Sequence, residues 1–193
     1  ILNYNAARGI LFFRITSQLV PFASHPVCTL DWQSQFKRRF TAIGAFVRRN
    51  NMRISMHPDQ FILLNAQDEQ ISGRSGAELA YHADVLDLLQ LDMTAKIQLH
   101  VGGVYADKQA SIRRFIVRYA ALDEKIKRRL VIENDERNFG IEDCLQISRS
   151  VHIPVLFDAF HHSVYAGRRG NLAAVFDRVR KTWEKPDGIP MVE

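Results

Sequence analysis

Cysteine is nearly absent from this chain: Cys28 and Cys144 are the only two in 193 residues, and they lie far apart. Their spacing fits neither a zinc-thiolate motif nor a redox pair. Two such thiols read as reduced and intracellular rather than as a disulfide framework. Long apolar runs are also lacking. No stretch approaches the roughly 18 to 20 apolar residues that cross a bilayer, and Ile1-Leu2-Asn3-Tyr4-Asn5 does not resemble a secretory leader. The expected setting is therefore cytoplasmic, with no membrane and no obligate protein partner. No low-complexity linker interrupts residues 1–193, which read as a single domain long enough for a sizeable core. Charge of one sign is in only small excess: 26 Lys+Arg against 21 Asp+Glu, or +5. That permits a polyanionic partner without requiring one. Basic residues cluster at 37–39, 48–49, 113–114, 125–129, 168–169 and 178–181. On helices these read as solvated outer faces, whereas Arg168-Arg169 falls in a loop that could face a site.

What is present is a set of short apolar runs, each ending in a residue of metal-binding type. Residues 52–56 run into His57, 96–99 into His100, 130–132 into Glu133, 153–157 into Asp158 and 189–192 into Glu193. His161 follows Asp158 by three residues. With residues 10–15 these runs predict six strands. Helices are predicted at 32–49 behind Asp31, 77–91 after a turn at Gly73–Gly76, 109–128, 141–150 and 171–183, with a loop through His161, His162, Tyr165 and Gly167. Strand and helix in alternation argue for parallel βα units, whose functional residues gather at the carboxyl ends of the strands. The expected fold is α/β, a TIM-type (β/α) barrel with about six of its eight units in this chain. The start without Met and the stop within an apolar run read as a fragment lacking one strand at each end.

Imidazole nitrogen and carboxylate oxygen bind zinc and manganese, and clustered sites share bridging carboxylates. His57, His100 and Glu133 could form one metal position. Asp158, Glu193 and a shared Glu133 could form a second, and His161 points to a third. Two or three such ions suit phosphodiester hydrolysis, one activating water and another stabilising the leaving oxygen. Each residue has an ordinary alternative: His57 a loop histidine, His100 the mark of a tight turn, and Glu133-Asn134-Asp135-Glu136 a solvated acidic loop. Their shared position on successive strands favours ligands. His82 and His152 read as structural or exposed. His162 could orient a ligand by hydrogen bonding.

Several blocks also resemble the UV damage endonuclease family. They are residues 12–17 with Pro21-Phe22-Ala23-Ser24-His25, then Arg53 through Phe61, His100 through Lys108, Glu133-Asn134-Asp135, and Asp158-Ala159-Phe160-His161-His162. They occur in the family's order and cover nearly the whole chain. The resemblance implies a TIM barrel related to endonuclease IV, with three divalent metals, expected here to be Mn2+ with Zn2+ or Mg2+ as alternatives. It implies nicking of damaged double-stranded DNA immediately 5′ to ultraviolet photoproducts. It also implies ligand roles for His57, His100, Glu133, Asp158 and His161. The family's Gln-Tyr pair, inserted into the damaged duplex, is matched by Gln60 and Phe61. Phe keeps the stacking face; its alternative is a buried anchor. Arg14 matches a basic position that could hold a phosphate or form a salt bridge. His25, Lys108 and Asn134 match positions without an assigned role, Lys108 being grouped with the DNA contacts and the other two with possible support around the metals. The chain departs from the family where Met191 and Glu193 stand for Lys-x-His. Two rival readings fit the same residues: a sugar isomerase on the same barrel, and a catalytically inactive damaged-DNA-binding relic.

Overall fold

The computed structural model describes residues 1–165 and 171–193, so Arg168-Arg169 and Gly167 lie outside the described residues. Its sheet has strands β1 (Phe12–Ile15), β2 (Arg53–Met56), β3 (Lys96–His100), β4 (Leu130–Glu133) and β5 (Val155–Leu156), all parallel and in sequential order. Such a succession is what right-handed βα crossovers produce. The predicted sixth strand is reduced to one parallel bridge, Phe157 to Val192.

Helices α1 (Leu2–Ala7), α2 (Trp32–Arg49), α3 (Glu69–Leu88), α4 (Lys108–Ala120), α5 (Glu124–Lys127), α6 (Ile141–Val151), α7 (Ala159–Tyr165) and α8 (Leu172–Val179) fill the connections. Aspartate caps recur. Asp31, Asp68, Asp107 and Asp123 each accept a backbone N–H of the first turn, and Asn171 does the same for α8. Asp68 explains one correction. Because it caps α3, the helix starts well before the predicted turn and runs straight through Gly73 and Gly76. A Cβ at Gly73 would meet nothing and one at Gly76 only Leu122 at 4.0 Å, so neither glycine is there for space. Packing of the helix outweighs their low propensity. Two further corrections concern helix ends. The segment 109–128 divides at Asp123, which caps α5, and the expected loop through His161 and Tyr165 is helix α7.

Alternation along the strands sorts the two faces of the sheet. Ile54, Met56, Ile97, Leu99, Leu130, Ile132 and Val155 enter the main core beneath the helices. The intervening residues face the other way: Arg53, Ser55 and His57; Lys96, Gln98 and His100; Val131 and Glu133. There Val131 and Leu156 join Trp183 and Met191 in a small second apolar cluster. Met191, read above as standing for a metal-site lysine, is thus buried among hydrocarbon.

Not all basic clusters are solvated faces. Arg129 is 3% exposed and pairs with Asp87 at 2.5 Å while also donating to the carbonyls of Leu91, Asp92 and Ala95. Arg114 and Arg118 bind the carbonyls of Asn65, Leu64 and Ala66, bracing the loop that follows β2.

Candidate metal centre at the carboxyl ends of the strands

Parallel register places His100 directly beside Glu133, the final pair of β3 and β4. His57 follows the last residue of β2, and Asp158 follows β5 by two residues. The Glu133 side chain is 2% exposed and is surrounded by imidazoles. His57 Nε2 lies 3.5 Å from its Oε2, while His100 Nε2 and His161 Nδ1 lie 3.9 and 3.5 Å from its Oε1. Two donor sets result, His57–His100–Glu133 and Glu133–Asp158–His161, the ligand atoms in each lying within 4.8 Å of one another. Glu133 belongs to both. The solvated-loop alternative for Glu133 through Glu136 fails, since Glu133, Asn134 and Asp135 are buried.

The surroundings orient these groups. His57 Nδ1 lies 2.8 Å from the Pro58 carbonyl, which can only accept, so Nδ1 carries a proton and Nε2 is the ring nitrogen that faces Glu133. Asn134 clasps Asp158 by two bonds, Nδ2 to the Asp158 carbonyl at 2.9 Å and Oδ1 from the Asp158 N–H at 3.0 Å. The Asn134 carbonyl stands 3.1 Å from His161 Nδ1. Asp158 Oδ1 accepts from the His161 N–H at 2.6 Å, which fixes the first turn of α7. On the next loop, Asn65 bonds Gly103 in both directions, and Gly102 at φ +114 lets it approach; a Cβ there would meet Asn65 Oδ1 at 2.3 Å.

Burial works to raise the Glu133 carboxyl, but the three imidazoles outweigh it and hold it below its ordinary value. Burial works equally against a charged His57; Glu133 and the Pro58 carbonyl prevail there and raise it. For His100 burial wins, helped by the neighbouring histidines, and its pKa is lowered. Even so, Glu133 Oε2 and His100 Nδ1 are buried with no hydrogen-bond partner among the described residues. Buried polar atoms are seldom left unpaired, and an imidazole–carboxylate set with orphaned atoms fits divalent metal. A possible metal-binding site is therefore present.

The other predicted residues fall into distinct places. Gln60 lines the cavity of about 410 Å³ that opens over His57, His100 and His161, together with Gln98 and the 135–138 loop. Phe61 is 71% exposed, which overturns its reading as a buried anchor. Arg14 forms the salt bridge, pairing with Glu193, whose carboxylate also accepts from Gln98. Glu193 belongs to neither donor set among the described residues. Lys108 is taken up by Asp143 at 3.0 Å and the Tyr165 hydroxyl at 2.9 Å. His25 is exposed in its own turn, accepting from the Val27 N–H at 3.1 Å beside Phe22. His162 packs edge-on against Phe157 rather than reaching a ligand. His82 is buried and bonded to the Glu78 carbonyl, and His152 is exposed at the left-handed end of α6.

Sequence reading missed Gln98 and Ser55, whose buried Oε1 and Oγ also lack partners. Each lies two residues before a site histidine on its strand, and period-2 alternation alone would have put them on the same face. It also missed Glu136, whose Oε2 lies 3.7 Å from His161 Nε2.

Residues 1–191 match the family model described as UV-endonuclease UvdE. The chain belongs to that family. A UV DNA damage endonuclease of Clostridium perfringens is 40% identical over 185 residues, covering 96% of this chain and 45% of that protein. One from Bacillus velezensis is 34% identical over 184 residues, covering 95% of this chain and 58% of its own length. This chain thus spans about half the length of these relatives. Among solved structures, that of SacUVDE has a TM-score of 0.90 at 42% identity, covering 95% of this chain and 62% of that one. A D-psicose 3-epimerase from Clostridium cellulolyticum H10, at TM-score 0.68 and 14% identity, shares the fold alone; it covers 94% of this chain and 63% of that one. With the parallel sheet and its helices, these likenesses make the fold α/β of the TIM-barrel type. No helix among the described residues is long and apolar enough to cross a membrane.

Proposed function

We propose that this site serves a metal-dependent endonuclease that nicks duplex DNA 5′ to ultraviolet photoproducts. One observation carries the reading: a buried carboxylate, Glu133, shared by two imidazole-containing donor sets at the mouth of a (β/α) sheet. Family membership supports the activity class. In this reading His57, His100, Glu133, Asp158 and His161 hold the ions, and Mn2+ is the first to try. Bound there, divalent ions supply Lewis acidity, lowering the pKa of water and offsetting charge on the phosphodiester.

The chain's own residues do the rest. His57 presents Nε2 because Pro58 holds the other proton, and Asn134 fixes Asp158 and faces His161. Arg14 and Glu193 offset one another at the edge of the site, so Glu193 serves as the partner of Arg14 and Gln98 rather than as a ligand. Gln60 and Phe61, on the braced and exposed loop after β2, meet the damaged duplex. The ring stacks on bases, while basic residues contact phosphates without reading sequence.

The test uses an end-labelled duplex with one thymine photodimer, incubated with Mn2+ or with EDTA. Both this chain and the complete gene product are assayed. A cut immediately 5′ of the dimer that EDTA abolishes is the expected result. Binding of metal without any cut, by either protein in a folded state, would overturn the reading.

A further inference from the structure

Phe160 is 70% exposed, and its ring centroid lies 6.2 Å from that of His161. His161 in turn lies 5.7 Å from His100, and His100 lies 5.3 Å from His57. A line of rings therefore crosses the site from the loop after β5 to the loop after β2, where Phe61 is 71% exposed. In sheet order β2 and β5 lie on either side of β3 and β4, so the loops that carry the two phenylalanines flank the strand ends of His100 and Glu133. Three strand spacings of about 4.8 Å separate β2 from β5, roughly 14 Å, or about four nucleotide steps at 3.4 Å each.

A single exposed phenylalanine is ordinary on a protein surface. Phe160 differs in that its backbone is pinned. It sits in the first turn of α7, between the Asp158 carboxylate that caps this turn and the His161 N–H that the cap accepts. Val164, one turn later, is 52% exposed and extends the apolar face. A flat, exposed apolar ring on a pinned backbone beside the donor sets suits the π-face of a nucleobase, which stacks on aromatic side chains whatever its identity.

We propose that Phe160 is a second base-stacking residue, receiving an unstacked base on the β5 side of the site while Phe61 occupies the β2 side. This rests on the proposed nuclease function. The damaged duplex is thus gripped by two aromatic faces, with the phosphate to be cut lying between them. Phe160 acts in recognising a distorted duplex, where bases unstack at least cost, and not in holding metal.

The experiment measures binding by fluorescence anisotropy with EDTA present, so that no cutting occurs, using the complete gene product. Duplexes with and without one thymine photodimer are compared for wild type, Phe160→Ala, Phe160→Tyr and the exposed control Val117→Ala on α4. Mn2+ binding is followed separately by calorimetry. Expected for Phe160→Ala is a loss of roughly 5- to 100-fold in affinity for the damaged duplex. The undamaged duplex and Mn2+ should bind as before, Phe160→Tyr should restore affinity, and Val117→Ala should do nothing. An unchanged preference in Phe160→Ala overturns the inference, as does an equal loss for both duplexes or a loss of Mn2+ binding. A wild type that ignores the photodimer overturns the proposed function itself, and this inference with it.

Discussion

Buried charge lies at both ends of the sheet, and the two ends treat it in opposite ways. At the amino end, Lys96 is completely buried, yet its ammonium meets Asp187 at 2.6 Å and the Arg128 carbonyl at 2.9 Å. Beside it Arg53 donates to the carbonyls of Thr94, Asp187 and Ile189, and its guanidinium lies 5.5 Å over Trp183. Every one of these charges has a partner, and together they fasten the segment 185–189 beneath the sheet. At the carboxyl end, Glu133 is nearly as buried but keeps an oxygen without a hydrogen bond, and His100 keeps a nitrogen. In a barrel of this type the amino end serves stability and the carboxyl end serves chemistry. Here the difference can be read in the satisfaction of buried polar atoms. A buried polar atom without a hydrogen bond is costly, and most of those among the described residues gather here, on Ser55, Gln98, His100 and Glu133.

The comparison can be broken most severely at Glu133. Glu133→Ala should remove activity by more than about a hundred-fold, since metal supplies several kcal/mol to such reactions. Calorimetry should show Mn2+ binding lost. The melting temperature without metal should fall, because His57, His100 and His161 lose the carboxylate that faces them. At the other end metal binding should survive instead. Asp187→Ala leaves Lys96 buried with a carbonyl alone, and denaturant unfolding should show a loss of about 3–5 kcal/mol, while Mn2+ binding by the folded protein stays normal. If Asp187→Ala weakened metal binding as much as folding, the two ends would not be separable.

A milder change sharpens the picture around the metals. Asn134→Leu removes the clasp on Asp158, and Mn2+ affinity should fall roughly 10- to 100-fold, as for other groups that orient ligands. The smallest effect concerns His82. Burial is the main cause that lowers its pKa, and the charge of His57 adds to it. The unfolded chain takes up a proton near 6.5 where the folded one resists. The contribution of His82 is therefore intact above 6.5 and is lost as pH falls below it. In metal-free protein, His82→Leu should flatten the acid side of the stability profile; an unchanged slope would exclude His82 as its source.

Much of this was legible in the residues. The capped helix 32–49 and the strands ending at His100 and Glu133 follow from periodicity, a side-chain cap and β-rich runs. The five residues of the two possible donor sets could be named because each ends or closely follows a strand. Misreadings arose where local signals competed with packing. Gly73 and Gly76 read as a turn, yet they lie inside α3, which Ser72 and Ser75 stitch to the Leu64 carbonyl and the Leu63 N–H. The 189–192 run read as a strand, but only Val192 pairs. Sequence alone could not show that Glu193 pairs with Arg14, 179 residues earlier.

The sequence by itself determined the parallel βα order, the strand ends and the residue types placed there, because these depend on neighbours a few positions apart. Folding alone settled that Glu133 is shared by two donor sets, and that Lys96 bonds its partners while one Glu133 oxygen has no hydrogen bond among the described residues. It also settled that Phe160 and Phe61 are exposed. These are relations between residues tens of positions apart, and burial and partners come into being only when the strands lie side by side.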